Sequence, residues 1–230
     1  MKILSKKVKG FSLLETIITI TIMVIVLAVV SSVFINSKKL MVKTELKSQM
    51  QEEGEKFQKS IVTYGTQAIG LEIKRGTDID VSGWTIGDYK TASTDGYLDI
   101  SSISFLLPNG VNGDTNLTVG SDEYLLCKMS YESIGAGKSA FIKRIDKYKL
   151  TLPAPEVTLD VNVTTMSEDL YEVNIIPLNW QEIEAEADSD PTLGLLNEMT
   201  GLKVTAKFKK KQGNIEVEYE VSSIIKLRNK

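Results

Sequence analysis

Histidine is absent from this 230-residue chain, and cysteine occurs once, as Cys127. Without histidine the chain lacks the commonest metal ligand and the only side chain that ordinarily titrates between about pH 5 and 8. A histidine-based triad and a zinc site of the usual kind are thereby excluded, and a lone thiol cannot close an internal disulfide. A large excess of charge is missing too. Lysine and arginine number 27 against 30 aspartate and glutamate, a formal net of -3, which is not the footprint of a nucleic-acid binder. Cys127 lies in the strand-like run Tyr124-Leu125-Leu126-Cys127-Lys128-Met129 and reads as a buried small hydrophobe rather than a reactive thiol. The acidic residues are too scattered to nominate a catalytic pair. No enzymatic activity, cofactor or metal is expected.

Charge is also distributed unevenly at the start of the chain. Residues 1–9 hold Lys2, Lys6, Lys7 and Lys9 and no acid, whereas Thr16 to Ser37 is a run of 22 residues without any charge. A helix of that length rises about 33 Å, enough to cross a hydrocarbon core of about 30 Å. The run is rich in β-branched residues that favour strands in water, but a lone strand cannot satisfy its backbone in lipid, so a membrane helix is expected. The lysines before it form a cytoplasmic flank and place the bulk of the chain outside. A secretory signal peptide is the competing reading; the long apolar core and the lack of a small-residue cleavage site before Lys38 and Lys39 oppose it. Glu15 is the one charge between Phe11 and Ser37. It reads either as an interfacial acid favoured by the helix dipole or as a partner for a positive amino terminus on a neighbouring subunit.

The run Gly10-Phe11-Ser12-Leu13-Leu14-Glu15, behind a lysine-rich leader and ahead of a long apolar helix, resembles the processing site of type IV prepilins and pseudopilins. That resemblance implies cleavage after Gly10 by a membrane-embedded prepilin peptidase, methylation of the new amino terminus at Phe11, and an assembly role for Glu15 as the fifth mature residue. It further implies partners: other pilins, major and minor, an inner-membrane assembly platform and the lipid bilayer. Many members carry a proline near mature residue 22, where this chain has Ser32.

Apolar periodicity continues past the membrane run. Val42, Leu46, Met50, Phe57, Ile61 and Tyr64 recur at three- and four-residue spacing if Gly54 is counted, with Lys43, Lys47, Glu52, Glu53, Glu55, Lys56 and Lys59 mainly on other faces. This is an amphipathic helix with one stripe to bury. Gly54 marks a bend, a close approach by another backbone, or simple tolerance. From Gly65 the texture becomes short β-prone runs: Leu98 to Leu107, Tyr124 to Tyr131, Ala140 to Leu152, Val157 to Val163 and Tyr171 to Ile176. Turn-forming clusters follow Pro108 and Asn112. The clearest hairpin joins Val204-Phe208 to Ile215-Val221 around Gln212-Gly213-Asn214, with lysines opposite glutamates on its wet face. The expected fold is α+β, a long N-terminal helix packed on an antiparallel β-sheet domain. The corresponding segments are a leader at 1–10, a membrane and assembly helix at 11–37, its amphipathic continuation at 38–65 and a β-rich domain at 66–230.

Two further stretches read as surface. Glu182, Glu184, Glu186, Asp188 and Asp190 alternate with small or apolar residues; they could offer oxygen to calcium, but match no loop motif and read as a solvated edge or mobile excursion. Gly76 to Tyr97 reads as exposed turns. The ending Ser223-Ile224-Ile225-Lys226-Leu227-Arg228-Asn229 is similar to the terminal strand of larger minor pilins of the W type and of J-type minor pseudopilins. With the missing cysteine pair, it points to a minor subunit or a disulfide-free, Gram-positive system. The resemblance implies a single-pass membrane precursor that reaches a surface pilus. A pseudopilin of a secretion or DNA-uptake system, and a membrane-anchored adhesion module outside any filament, are the alternatives.

Overall fold

A computed structural model describes residues 12–76, 79–108, 123–135, 138–149, 156–157 and 162–226. The leader, with Gly10 and Phe11, lies outside the described residues. So do the turn clusters after Pro108 and the end of the chain from Leu227. The chain divides into two compact units, residues 1–45 and Leu46–Lys230.

One α-helix, α1 (Leu13–Gly65), runs through the division. The second unit continues with β1 (Gly70–Arg75), β2 (Ile79–Asp80), α2 (Ile86–Ala92), β3 (Leu98–Asp99), β4 (Ser102–Pro108), β5 (Glu123–Gly135) and β6 (Lys138–Lys149). It ends with β7 (Glu156–Val157), β8 (Asn162–Ser167), β9 (Leu170–Pro177), α3 (Trp180–Ala187), α4 (Leu195–Glu198), β10 (Gly201–Gln212) and β11 (Ile215–Lys226). Among the described residues the strands form two sheets: β2-β1-β4-β5-β6-β7, with β8 also paired to β6, and β11-β10-β9-β3. Every pairing is antiparallel. This is the α+β arrangement of a long helix packed on antiparallel sheet.

The β10–β11 hairpin shows why these residues pair. Gly213 and Asn214 form a two-residue loop between the partners Gln212 and Ile215, and Gly213 takes a φ of 61°, which a side chain disfavours. Val204, Ala206 and Phe208 are fully buried. On the opposite face Lys207, Lys209 and Lys211 stand against Glu220, Glu218 and Glu216. Lys209 reaches both Glu216 (2.7 Å) and Glu218 (3.1 Å), while Lys207 turns instead to Glu172 on β9 at 2.6 Å.

Three expectations from the sequence are corrected. The run Leu98 to Leu107 is not one strand: β3 pairs with β9 (Leu98 with Ile175), and only three residues later β4 enters the other sheet (Ser102 with Lys74). Gly76 to Tyr97 contains a helix, α2, with Ile86 and Tyr89 fully buried. Its start is fixed by a capping box between Thr85 and Asp88, whose reciprocal hydrogen bonds satisfy helix-end donors. The acidic stretch, expected as a solvated edge or mobile excursion, keeps its five acids exposed, but Glu182, Glu184 and Glu186 stand on a helix, α3, which Asp188 and Asp190 follow. Trp180, Ile183 and Ala187 are buried along one side of α3, and the Trp180 ring lies 5.4 Å from that of Tyr89. Trp180 also lies over Gly96, where a Cβ would come within 2.6 Å of the indole and φ is already 78°.

Candidate functional site

At the helix start, the Ser12 hydroxyl accepts a hydrogen bond from the Glu15 backbone N–H at 3.3 Å. Ser12 thus serves as the N-cap and Glu15 sits one turn in, where the helix dipole favours an acid. Beyond it the apolar side chains are bare: Leu13 is 82% exposed, Phe34 70% and Met41 72%, and every large apolar residue between them is at least half exposed. Polar groups in this stretch turn inward on the helix. The Thr19 hydroxyl donates to the Glu15 carbonyl at 2.7 Å and that of Thr21 to the Ile17 carbonyl at 2.8 Å. The helix backbone and these threonine hydroxyls are therefore satisfied without water, and Glu15 is the single charge from Ser12 to Ser37. An apolar surface of this extent calls for lipid or other helices around it.

The outer part of α1 differs in kind. Leu46, Met50, Gly54, Phe57, Ile61 and Gly65 are buried along one stripe; Val42 and Tyr64, expected on that stripe, are half-buried. Phe57 lies 5.8 Å from the ring of Phe141 on β6 and 6.4 Å from that of Phe208 on β10, so one side chain touches both sheets. Gly54 is a close approach, but by a side chain: a Cβ there would lie 2.8 Å from Tyr219 Cε1. At Gly65 a Cβ would meet three carbons of Ile225 at 2.7–2.9 Å. The last helical position of the stripe is therefore glycine because β11 crosses there, and Tyr64 is displaced to the flank, where Lys143 Nζ sits 5.3 Å above its ring.

A polar clasp on the same helix was not legible in sequence. Glu53, grouped there with the outward charges, is half-buried; it accepts from the Ser167 hydroxyl and has Lys210 Nζ at 3.8 Å. Ser167 Oγ in turn accepts from the backbone N–H groups of Asp169 (2.9 Å) and Leu170 (3.1 Å). Hydrogen bonding to Asp169 raises the Lys210 ammonium above its ordinary value. Periodicity cannot find such a clasp, because its partners lie far apart in the chain.

Other candidate groups are spoken for locally. Asp188 pairs with Lys90 at 2.7 Å, and Asp190 accepts from the Thr192 backbone N–H and hydroxyl. Among the described residues no three Asp, Glu or Cys side chains converge as metal ligands. Cys127 is fully buried, and desolvation pushes its thiol up to about 12, so it is not a ready nucleophile.

No curated protein and no solved structure matches the chain. Residues 5–31 match the family model of the prokaryotic N-terminal methylation motif, which marks this segment as that of a type IV pilin- or pseudopilin-like, membrane-anchored precursor.

Proposed function

We propose that the protein is a minor pilin, processed by prepilin peptidase between Gly10 and Phe11 and built through its apolar helix into a type IV pilus that it initiates, caps or sparsely populates. The observation that carries this reading is Glu15, the sole charge in a bare apolar helix lying within the methylation motif. An uncharged residue would hold the helix in lipid at less cost. A carboxylate there instead serves as a register key for the positive amino terminus of Phe11 on a neighbouring subunit, since a mismatched pair leaves an acid unpaired in a low-dielectric bundle. The role is structural rather than catalytic, and the β-rich domain faces outward.

Support for a minor rather than a major subunit comes from the resemblance of the run Ser223-Ile224-Ile225-Lys226-Leu227-Arg228-Asn229 to a strand of larger minor pilins and from the missing cysteine pair. Intact-mass analysis of protein in filaments sheared from cells that carry the peptidase is the test. The mature chain is expected to begin at N-methylated Phe11 and to be sparse beside a major subunit. A chain that still begins at Met1 would refute processing; a processed chain confined to the cell envelope, with no filament at the surface, would favour a secretion or uptake pseudopilin.

A further inference from the structure

Five lysines of the domain, Lys74, Lys90, Lys207, Lys209 and Lys210, each have a carboxylate within 3.6 Å. A different arrangement holds where α1 meets β6 and β8. Lys56, Lys59, Ser60 and Thr63 follow the helical spacing i, i+3, i+4 and i+7, so they share one flank of α1. Facing them, Lys143 on β6 stands opposite Thr164 on β8. Phe141, two residues earlier on β6, packs on Phe57 of α1, and the two-residue period of a strand turns Lys143 toward the helix as well. Its ammonium lies 5.3 Å from the centre of the Tyr64 ring. These side chains line a cleft of about 290 Å³, and no acid is among the described residues that line it.

Lys56 shares its charge with Glu52 at 2.7 Å, an exposed pair that solvent keeps weak. Among the described residues neither Lys59 nor Lys143 has an acid within ion-pair distance. The chain as a whole is slightly negative, at -3, so the positive potential of the cleft belongs to its own lining. A cleft lined by charge of one sign concentrates the opposite one. No arginine lines it, and the planar fork that suits a carboxylate is therefore missing, whereas lysines act as point charges toward phosphate. Ser60, Thr63 and Thr164 add hydroxyl donors and acceptors around the ammonium groups. The volume equals roughly ten waters at about 30 Å³ each, more than a bare phosphate fills.

We propose that this cleft binds a phosphate ester of a small polyol, with the phosphate oxygens held by the ammonium groups of Lys59 and Lys143 and the polyol hydroxyls by Ser60, Thr63 and Thr164. Binding there does not depend on filament assembly, because the cleft lies within the second unit and is read on purified protein. The full chain in nonionic detergent micelles at low salt would be titrated calorimetrically with glycerol 3-phosphate. Inorganic phosphate, acetate and glycerol would be titrated alongside.

Saturable one-to-one binding of glycerol 3-phosphate is expected, at least as tight as that of inorganic phosphate, with no saturation by acetate or glycerol. Loss of one hydrogen bond to a charged group should weaken it about tenfold in Lys143→Met and in Lys59→Gln. Lys59 is exposed on the helix, so Lys59→Gln should leave the melting temperature unchanged, which separates a lost ligand contact from a damaged fold. Lys47 is exposed on the same helix outside the cleft, and Lys47→Gln should leave binding unchanged. Absence of saturable binding, binding unchanged by both cleft substitutions, equal weakening by Lys47→Gln, or tighter binding of acetate or of inorganic phosphate than of the ester would each overturn the proposal.

Discussion

The two parts of α1 have the same backbone and opposite surfaces. From Leu13 to Met41 apolar residues surround the helix and are bare, and the threonines turn their hydroxyls back onto the helix carbonyls. From Leu46 to Gly65 the apolar residues occupy one buried stripe and the rest of the surface carries charge, including a Lys56–Glu52 pair at 2.7 Å one turn apart. Helix propensity in water favours the second part over the β-branched first, yet both are helical. What separates them is the surroundings each needs: the first is completed by a medium or a neighbour outside the chain, the second by the two sheets of its own domain.

Substitution of a phenylalanine in each part should break the comparison most visibly. Phe57→Ala removes a fully buried ring shared by both sheets and should cost about 3–5 kcal/mol of domain stability, lowering the melting temperature by several degrees at least. Phe34→Ala, at an exposed ring, should change the melting of the domain by less than about 0.5 kcal/mol. Thermal unfolding of both variants in the same detergent checks the pair; equal losses would erase the distinction.

A smaller effect is expected at Gly65. Alanine there gains about 1 kcal/mol in helix propensity but drives a Cβ into Ile225, an overpacking cost of about 1–3 kcal/mol. Net destabilisation is expected, with partial recovery when Ile225→Val is added, measured by urea unfolding. Stabilisation by Gly65→Ala alone would show that β11 yields at no cost.

The smallest effect is electrostatic and confined to the domain. The hydrogen bond from Lys207 holds the Glu172 carboxyl below its ordinary 4.5, and the same bond holds the Lys207 ammonium above 10.5. Glu172 therefore contributes stability above its unfolded value that is lost as pH falls through the lower folded one. Lys207 contributes stability below its unfolded value that is lost as pH rises through the folded one. Both side chains are about a third exposed, so solvent limits the gain to within about 1 kcal/mol. Lys207→Met should reduce stability at about pH 7, and the loss should shrink as pH falls through the folded value of Glu172 and the partner acid takes up its proton.

Legibility in the sequence followed the length of each pattern. The stripe of α1 spans several turns and the alternation of β10 and β11 covers a dozen residues each, so the period of each element could be read. In α2 there are only two turns, too few to show a period, and the Thr85–Asp88 capping box was its one local sign. In α3 two periods compete. Glutamates at 182, 184 and 186 alternate like a strand, while Trp180, Ile183 and Ala187 keep the helical spacing that burial selects. The partition into two sheets was not local information at all, since the chain leaves one sheet and enters the other between Asp99 and Ser102. Glu15 and the apolar run around it were plain in the sequence, because lipid imposes a composition that water does not.

Glu15→Ala in the native host is the most direct test of the assembly role. Processed protein in the membrane fraction would be quantified beside subunit in sheared surface filaments and total filament number. Insertion and cleavage after Gly10 are expected to stay near wild type, while subunit in filaments or filament number falls severalfold. Normal processing with both filament measures at wild-type level would reduce Glu15 to an interfacial acid and contradict its role as the register key.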